Sequence, residues 1–527
     1  MKVLVSDPIS ELGVKKLQER PGVEVDVKTD LSPEELVEAI GDYDALVVRS
    51  QTQVTAEVIN AGEDLKVIGR AGVGVDNIDV AAATQRGIMV VNAPEGNTIA
   101  TAEHSMAMML SLARNIPAAY LSLKGREWKK SKFVGVELYN KTLGVLGLGR
   151  IGSEVVQRAK SFGMEIYGYD PHISEESARK LGVTLCSLEE MLPKVDFLTL
   201  HTPRTSKTYH FIGERELSMM KEGARIVNCA RGGLIDEEAL YQALKNGKLA
   251  GAALDVFEEE PAVESPLLEL DNILVTPHLG ASTQEAQINV AVLVAEQILY
   301  ALFGEPVATA VNVAIIPPET LADVKPFIPL MEILGSFYMQ VYNGQIEKIE
   351  VTYGGEIANY PVSPLTTSLL IGFLKVILND QNINYVNAPA IAEQRGIKVS
   401  EITSKTVEDF NNLVTVTVSS KDEEKTIAGT LFRKNDIRIV QIDKYRIDVV
   451  PSKYMLVATY IDKPGVIGRV GTTLGNENIN IASMQVGRMS IGGEAVMVLQ
   501  VDSPISEEVL DKVSNLEAIL STRFVTL

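Results

Sequence analysis

Residues 142–152 read TLGVLGLGRIG, and this stretch decides the fold of the middle of the chain. The apolar run TLGVL predicts a buried strand, and Gly147, Gly149 and Gly152 follow it at the spacing G-x-G-x-x-G. The first glycine permits a tight turn, the second lets the backbone approach a diphosphate, and the third lets the next helix pack against the strand. The stretch therefore predicts a strand, a turn and a helix whose N-terminus faces a dinucleotide.

An acidic residue further along narrows the choice of dinucleotide. The apolar stretch EIYGY at residues 165–169 predicts the next strand, and Asp170 follows it directly. A carboxylate at this place accepts hydrogen bonds from the adenosine ribose hydroxyls and repels a 2′-phosphate, so it favours NAD over NADP. The alternative is an ordinary strand–helix–strand turn with a surface aspartate.

The same alternation of apolar runs and helical stretches extends to both sides. In residues 1–97, runs such as KVLV and ALVV read as buried strands, and Ser32, Pro33 and Glu35 form a helix start. Long helical patterns at residues 98–122 and 283–304 bracket the second unit. The chain is therefore expected to be α/β, with two Rossmann-like or flavodoxin-like lobes, each a doubly wound parallel sheet, and a cleft between them.

The remaining chain predicts two smaller units. A proline pair, Pro317 and Pro318, marks a linker, and the region after it mixes strands with a helix. The last stretch reads strand–helix–strand–strand–helix–strand, the order of the ferredoxin-like fold. We expect a substrate-binding lobe at residues 1–97 plus 283–312, a dinucleotide-binding domain at 98–282, an α+β intervening domain at 313–451 and a ferredoxin-like domain at 452–527.

Composition excludes several classes of function. The chain has 527 residues, too many for one core, and a net charge of −20, which disfavours a nucleic-acid partner. Its two cysteines, Cys186 and Cys229, are too few for a disulfide framework or a multi-cysteine zinc site, and no metal site is expected. The N-terminus lacks the apolar run of a signal peptide, and no window suggests a membrane span. We expect a soluble, cytoplasmic protein.

Three further strand ends carry residues suited to hydride transfer. Arg231 lies in NCARGGLID, Glu260 in ALDVFEEEP and His278 in VTPHLGAS. An imidazole ionises near neutral pH and can take a hydroxyl proton, a carboxylate beside it orients the ring, and a guanidinium binds a substrate carboxylate through two parallel donors. Taken singly, each has an ordinary alternative: a turn arginine, a solvated acidic run or a structural histidine.

The segments GLGRIG, NCARGGLIDEEAL, GAALDVFEEEP and TPHLGAST resemble, in this order, the D-isomer-specific 2-hydroxyacid dehydrogenase family. The resemblance implies NAD as cofactor, oxidation of a D-2-hydroxyacid, and Arg231, Glu260 and His278 as the catalytic triad. It gives Asp255 the nicotinamide carboxamide as partner. The cofactor contacts it implies are Gly147, Gly149, Arg150, Ile151, Gly152, Asp170, Thr202, Cys229, Ala230, Arg231, Asp255, His278, Gly280 and Ala281.

Strand ends of the first lobe predict the substrate site. The segments VVRSQT, VIGRAGVGVDNID and NAPEGNT bring positive charge and backbone donors into an acidic chain, as a phosphorylated substrate requires; alternatively, the arginines pair with nearby acids. These segments resemble family members that oxidise 3-phosphoglycerate to 3-phosphohydroxypyruvate in the first step of L-serine biosynthesis. Interconversion of 2-hydroxyglutarate and 2-oxoglutarate is a further reaction implied. The predicted substrate residues are Arg49, Ser50, Arg70, Gly72, Val73 and Asn97.

The C-terminal segment TYIDKPGVIGRVGTTLGNENINIA resembles an ACT domain, a small-molecule sensor. The resemblance implies effector contacts from Tyr460, Asp462 and Asn480, with L-serine as the effector; alternatively, this unit serves only assembly. The family also places the basic loop at residues 123–135, which holds Trp128, at a dimer contact, so a homo-oligomer, dimer or tetramer, is expected.

Two other functions stay open from the sequence. One is an NAD-dependent dehydrogenase of another D-2-hydroxyacid, such as glycerate or 2-hydroxyglutarate. The other, more remote, is an NAD-sensing interaction protein, because corepressors share this fold. Catalytic turnover distinguishes a dehydrogenase from a sensor, since an NAD-sensing protein does not need to oxidise a substrate.

Overall fold

The computed structural model describes residues 1–317, 319–342, 344–380, 382–407, 409–421, 423–433 and 435–527. Pro318, the second proline of the predicted linker, lies outside the described residues. Within them, no helix is both long and apolar enough to cross a membrane.

The first sheet has five parallel strands in the order β2-β1-β3-β4-β5, the flavodoxin-like arrangement predicted for this lobe. The helix after Ser32 begins with the expected capping box, in which Ser32 and Glu35 each bind the other's backbone N–H. The elements are β1 (Lys2–Val5), α1 (Glu11–Gln18), β2 (Glu24–Val27), α2 (Pro33–Ala39), β3 (Ala45–Val48), α3 (Ala56–Ala61), β4 (Val67–Arg70), α4 (Val80–Gln85) and β5 (Met89–Asn92).

The second sheet has seven parallel strands in the order β12-β11-β10-β9-β6-β7-β8. The order reverses between β6 and β9, and a crevice opens at the carboxyl ends of strands at such a point. The elements are α5 (Thr98–Ala113), α6 (Ile116–Lys124), β6 (Thr142–Leu146), α7 (Arg150–Ser161), β7 (Glu165–Tyr169), α8 (Glu175–Leu181), β8 (Thr184–Leu185), α9 (Leu188–Met191), β9 (Phe197–Leu200), α10 (Glu214–Met219), β10 (Ala224–Asn228), α11 (Glu237–Lys245), β11 (Leu249–Leu254), β12 (Ile273–Val275) and α12 (Gln284–Leu302).

The helices between the two sheets differ in part from the prediction. The pattern at residues 98–122 forms two helices, α5 and α6, rather than one, and Asn115 between them has a left-handed backbone (φ 52°). Pro117 has no N–H to continue the bonding of α5, so the helix ends before it. Helix α12 returns the chain to the first sheet, where Val294 and Ile298 pack in the core with β4.

The third sheet is mixed, as expected of an α+β domain. Its order is β14-β13-β15-β16-β17-β18, with β13 and β14 parallel and the other pairs antiparallel. The elements are α13 (Leu321–Val324), α14 (Phe327–Val341), β13 (Lys348–Gly355), α15 (Ser363–Leu378), α16 (Ala388–Gln394), β14 (Lys398–Ser404), β15 (Asn412–Ser419), β16 (Glu424–Leu431), β17 (Ile437–Ile442) and β18 (Tyr445–Val449).

The C-terminal unit has the predicted ferredoxin-like order, with an antiparallel sheet β20-β21-β19-β22. One face of this sheet packs against the two helices of the same unit. On the other face, Val457, Val496 and Val525 belong to the hydrophobic core of the unit that contains the third sheet. The elements are β19 (Tyr454–Ile461), α17 (Val466–Asn476), β20 (Ile481–Arg488), β21 (Glu494–Val501), α18 (Glu507–Ser514) and β22 (Ile519–Thr526).

Candidate active site

The glycine-rich turn has the geometry of a dinucleotide cradle. Gly147 follows β6 with φ 88°, a conformation that other residues rarely adopt. A Cβ on Gly152 would lie 2.0 Å from the carbonyl oxygen of Gly147, whereas a Cβ on Gly149 would meet nothing within 4 Å. The turn is therefore closed toward the protein at Gly152 and open at Gly149, where α7 begins with its free N–H groups.

Polar groups around this turn match a nucleotide ligand. The Asp170 carboxylate accepts from the N–H groups of Leu148 and His172, each at 2.8 Å, so it is fixed beside the turn. The Thr202 hydroxyl oxygen is buried and has no hydrogen-bond partner in the part of the chain that the structure describes. An orphaned hydroxyl beside an open backbone cradle fits the NAD site that the sequence predicts.

The other predicted cofactor residues line the same sheet edge. Arg150 and Ile151 open α7, Cys229 and Ala230 follow β10, and Gly280 and Ala281 follow β12. Arg150 is exposed, 3.4 Å from Glu95. Burial raises the pKa of the Cys229 thiol to about 12, so it is uncharged.

His278 and Glu260 form a hydrogen-bonded pair. His278 Nδ1 lies 2.8 Å from Glu260 Oε2, which leaves Nε2 as the ring nitrogen free for a substrate. Burial of Glu260 acts to raise its pKa, but the hydrogen bond and charge of His278 and the Phe257 N–H outweigh it, and the pKa lies below the ordinary range. The carboxylate therefore stays ionised and orients the ring.

Arg231 reaches across the cleft. Its Nε lies 3.2 Å from Asp76 Oδ2 of the first lobe, and its Nη1 donates to the Ala230 carbonyl at 2.7 Å. A Cβ on Gly74 would lie 2.0 Å from Arg231 Nη2, so a larger residue there would require the guanidinium to move. Arg231, predicted to be catalytic, is thus held by residues of both lobes.

A cavity of about 630 Å³ brings the predicted residues together. Arg70 in its wall is largely buried, and burial together with the charges of Arg231 and Arg49 lowers its pKa to about 10. The Arg70 Nε is buried with no hydrogen-bond partner among the described residues, a state that an anion would relieve. The lining includes all the predicted substrate and catalytic residues: Arg49, Ser50, Arg70, Gly72, Val73, Asn97, Arg231, Glu260 and His278.

The predicted effector residues are only partly brought together. Tyr460 is buried on β19, and its hydroxyl has no partner among the residues described. Asp462 follows the same strand and pairs with Arg488 at 2.9 Å. Asn480 instead donates to Asp502 at 2.6 Å, and no hydrogen bond joins it to Tyr460 or Asp462 within the described ranges.

Sequence reasoning missed three residues of the site. Asp76 stands in the quoted segment GVGVDNID, but nothing in the sequence pairs it with Arg231. His201 lies under the glycine-rich turn, and burial lowers its pKa to about 4, so its ring is neutral. His104, on α5, contacts Asp255 at 3.2 Å. For His104, the sequence signal was a polar, ionisable side chain within a largely apolar helix, which indicates a buried hydrogen-bond partner.

Comparison with known families agrees with this arrangement. Residues 106–280 match the model described as D-isomer specific 2-hydroxyacid dehydrogenase, NAD binding domain. Residues 323–443 match the D-3-phosphoglycerate dehydrogenase intervening domain, and residues 454–518 match the ACT domain. The chain thus carries the NAD-binding domain of that family together with two further units.

Sequence relatives are similar to this chain over its whole length. The chain is 50% identical to the D-3-phosphoglycerate dehydrogenase of Methanocaldococcus jannaschii over 100% of both chains. It is 44% identical to the enzyme of that name from Bacillus subtilis, over 100% of this chain and 99% of the other.

Solved structures match the first two lobes. A glyoxylate reductase from Paecilomyes thermophila has a TM-score of 0.55 at 33% identity, over 59% of this chain and 98% of that one. The D-lactate dehydrogenase from Aquifex aeolicus, complexed with NAD and lactic acid, has a TM-score of 0.52 at 28% identity, over 58% and 96%. The chain therefore belongs to the D-3-phosphoglycerate dehydrogenases of the D-isomer specific 2-hydroxyacid dehydrogenase family.

Proposed function

We propose that this chain oxidises 3-phosphoglycerate to 3-phosphohydroxypyruvate with NAD, the reaction that starts L-serine biosynthesis. The observation that carries the proposal is the cavity in which the His278–Glu260 pair, Arg231 and the unpartnered Arg70 meet beside the glycine-rich turn. The full-length relatives named D-3-phosphoglycerate dehydrogenase support the choice of substrate.

The site residues divide the work of the reaction. Arg231 binds the substrate carboxylate through its guanidinium, and Arg49 and Arg70 supply positive charge for the phosphate. As the substrate C–H bond gives up its hydride, His278 Nε2 takes the hydroxyl proton, and a carbonyl forms. Glu260 stabilises the imidazolium that results. Bound NAD supplies the hydride acceptor, held by the turn of Gly147, Gly149 and Gly152.

Replacing Glu260 with glutamine should lower kcat by about 10- to 100-fold, the worth of one hydrogen bond to a charged group. The amide keeps the size of the side chain but cannot balance the charge of the imidazolium. Since the pKa of Glu260 is depressed, wild-type activity should not fall through protonation of Glu260 until the pH is below about 4.3, the ordinary glutamate value. Steady-state kinetics of the wild type and E260Q from about pH 4 to about pH 9 test this, with Glu259→Gln, the exposed neighbour, as control. An unchanged kcat in E260Q would contradict the role.

The division of labour between units follows the sheets. We assign substrate binding to residues 1–97 with 283–312 and cofactor binding to 98–282, because the cavity is lined from both. Residues 313–451 and 452–527 form the intervening and effector units. Two separate sheets, one in each unit, support this division. The two units nevertheless share one hydrophobic core.

A homo-oligomer, dimer or tetramer, is part of the proposal. Helix α6 and the loop after it expose large apolar side chains, with Trp128 at 84% and Val134 at 80% exposure. Apolar surface gathered on one segment is typical of a subunit contact. We also place the enzyme in the cytoplasm, where the free thiols Cys186 and Cys229 persist.

L-Serine is the proposed effector, through Tyr460, Asp462 and Asn480. The buried, unpartnered Tyr460 hydroxyl supports a polar ligand there. Coupling of about 1–3 kcal/mol would change the apparent affinity for substrate about 5- to 150-fold.

The test is NADH formation from 3-phosphoglycerate, with and without serine. Turnover with NAD, and not with NADP, is the expected result, because Asp170 repels a 2′-phosphate. Glycerate and 2-hydroxyglutarate are measured in parallel. If the enzyme oxidises glycerate or 2-hydroxyglutarate as well as 3-phosphoglycerate or better, the assignment of 3-phosphoglycerate as its substrate is wrong. If it oxidises none of the three compounds, the result favours an NAD-sensing role. If serine leaves the rate unchanged, only the proposal that serine is the effector is contradicted.

A further inference from the structure

Asp255 is the centre of the hydrogen bonds that hold His278 in place. His278 has a left-handed backbone (φ 55°), and its N–H donates to the Asp255 carbonyl at 2.9 Å. The next two N–H groups, of Leu279 and Gly280, donate to the Asp255 carboxylate at 2.7 and 2.8 Å. The turn that presents the imidazole is therefore built around one carboxylate.

That carboxylate is fully buried and needs donors to remain charged. Its side chain is 1% exposed, and Oδ1 also accepts from the Thr276 hydroxyl at 2.6 Å. Burial acts to raise the pKa of Asp255, but hydrogen bonds from His104, Thr276 and Leu279 outweigh it and lower the pKa. An ionised, buried carboxylate that loses one of these donors would rearrange toward another.

His104 is the donor that comes from outside the turn. Its Nε2 lies 3.2 Å from Asp255 Oδ1 and 3.3 Å from the Thr276 hydroxyl oxygen. The carboxylate can only accept, and Thr276 already gives its hydrogen to Asp255, so Nε2 must carry a hydrogen. His104 thus donates to this pair in either charge state of its ring.

The helix that carries His104, α5, makes a second hydrogen bond to the same turn. Thr101, one turn before His104 on α5, donates to the Gly280 carbonyl at 3.2 Å. Helix α5 begins directly after Asn97, which lines the substrate cavity. One rigid element therefore connects the substrate side of the cleft to the turn that holds His278.

We propose that His104 is a positioning residue for the reaction: through Asp255 it fixes the turn of residues 276–280 and so aligns His278 with Glu260 and the substrate. The inference rests on the proposed function, because alignment matters only if His278 takes the proton. His104 is not itself a residue of the cavity lining: it contacts the lining from behind, at Thr276, and no hydrogen bond joins it to Glu260 among the described residues.

Two variants of equal polarity and different reach test it in the full-length enzyme. In H104Q the side-chain amide nitrogen reaches the place of Nε2, whereas in H104N it falls short, near the place of Nδ1. We expect H104Q to keep kcat within about threefold of wild type and H104N and H104L to lose about tenfold or more. The KM for 3-phosphoglycerate should change by less than about threefold, because the variants leave Arg49, Ser50 and Arg70 of the cavity lining in place.

A double-mutant cycle separates positioning from a general effect on structure. In an H278Q background, adding H104N should cost no further activity, since the ring to be aligned is gone. Melting temperatures check that H104Q and H104N are equally folded, and E103Q, exposed on the same helix, serves as control. Equal kcat in H104Q and H104N, or additive losses in the cycle, would overturn the inference alone. A wild type that oxidises neither 3-phosphoglycerate, glycerate nor 2-hydroxyglutarate would overturn the proposed function and this inference with it.

Discussion

Replacing His278 with alanine should lower kcat for 3-phosphoglycerate by about 10²- to 10⁴-fold, the usual worth of a general base. His278 is the cavity residue whose imidazole is paired through Nδ1 with Glu260, leaving Nε2 to take the hydroxyl proton. Stopped-flow measurement of NADH formation reports the chemical step directly. The dissociation constant of NAD should change by less than about threefold, because the glycine-rich turn is untouched.

A second variant separates chemistry from architecture. H278Q places a polar amide near the position of Nε2, so the site keeps a side chain of similar length and polarity, but an amide cannot take the proton. The loss of kcat in H278Q should therefore approach that in H278A. Activity in H278Q close to wild type would mean that another group takes the proton, and the proposed mechanism would be wrong.

The sequence predicts the parts of this fold that local pattern specifies. Strand β3 is an apolar run with every residue buried, and the turn at Gly147 needs glycine for its φ of 88°. Strand β14 was not predicted, because its side chains are largely exposed and its strand character comes from pairing with β13. A polar edge strand has no hydrophobic signature of its own.

The candidate site divides in the same way. Motifs placed His278, Glu260 and Arg231 at strand ends, and parallel strands bring their carboxyl ends to one edge. The Arg231–Asp76 pair joins two lobes, so it depends on how far the cleft is closed, which no local pattern encodes. The contact of His104 with Asp255 likewise depends on how α5 crosses beneath β11 and β12.

The wild-type enzyme should prefer 3-phosphoglycerate over glycerate by about 10³-fold or more in kcat/KM, because a site built for a charged group rejects an analogue that lacks it. Arg70 is the clearest origin of this preference. Burial and the neighbouring Arg231 and Arg49 lower its pKa to about 10, and its Nε has no partner in the described structure. The substrate phosphate would supply the missing anion.

Replacing Arg70 with methionine should therefore reduce the preference about 10- to 100-fold, with the loss falling on the phosphorylated substrate. Methionine also removes a buried charge that is costly in the free protein, so the melting temperature should stay level or rise. Lys66→Met, which removes a charge far from the cavity, should leave the preference unchanged. An equal loss for glycerate in R70M would show that Arg70 binds the carboxylate that both substrates share, and the phosphate assignment would then pass to Arg49.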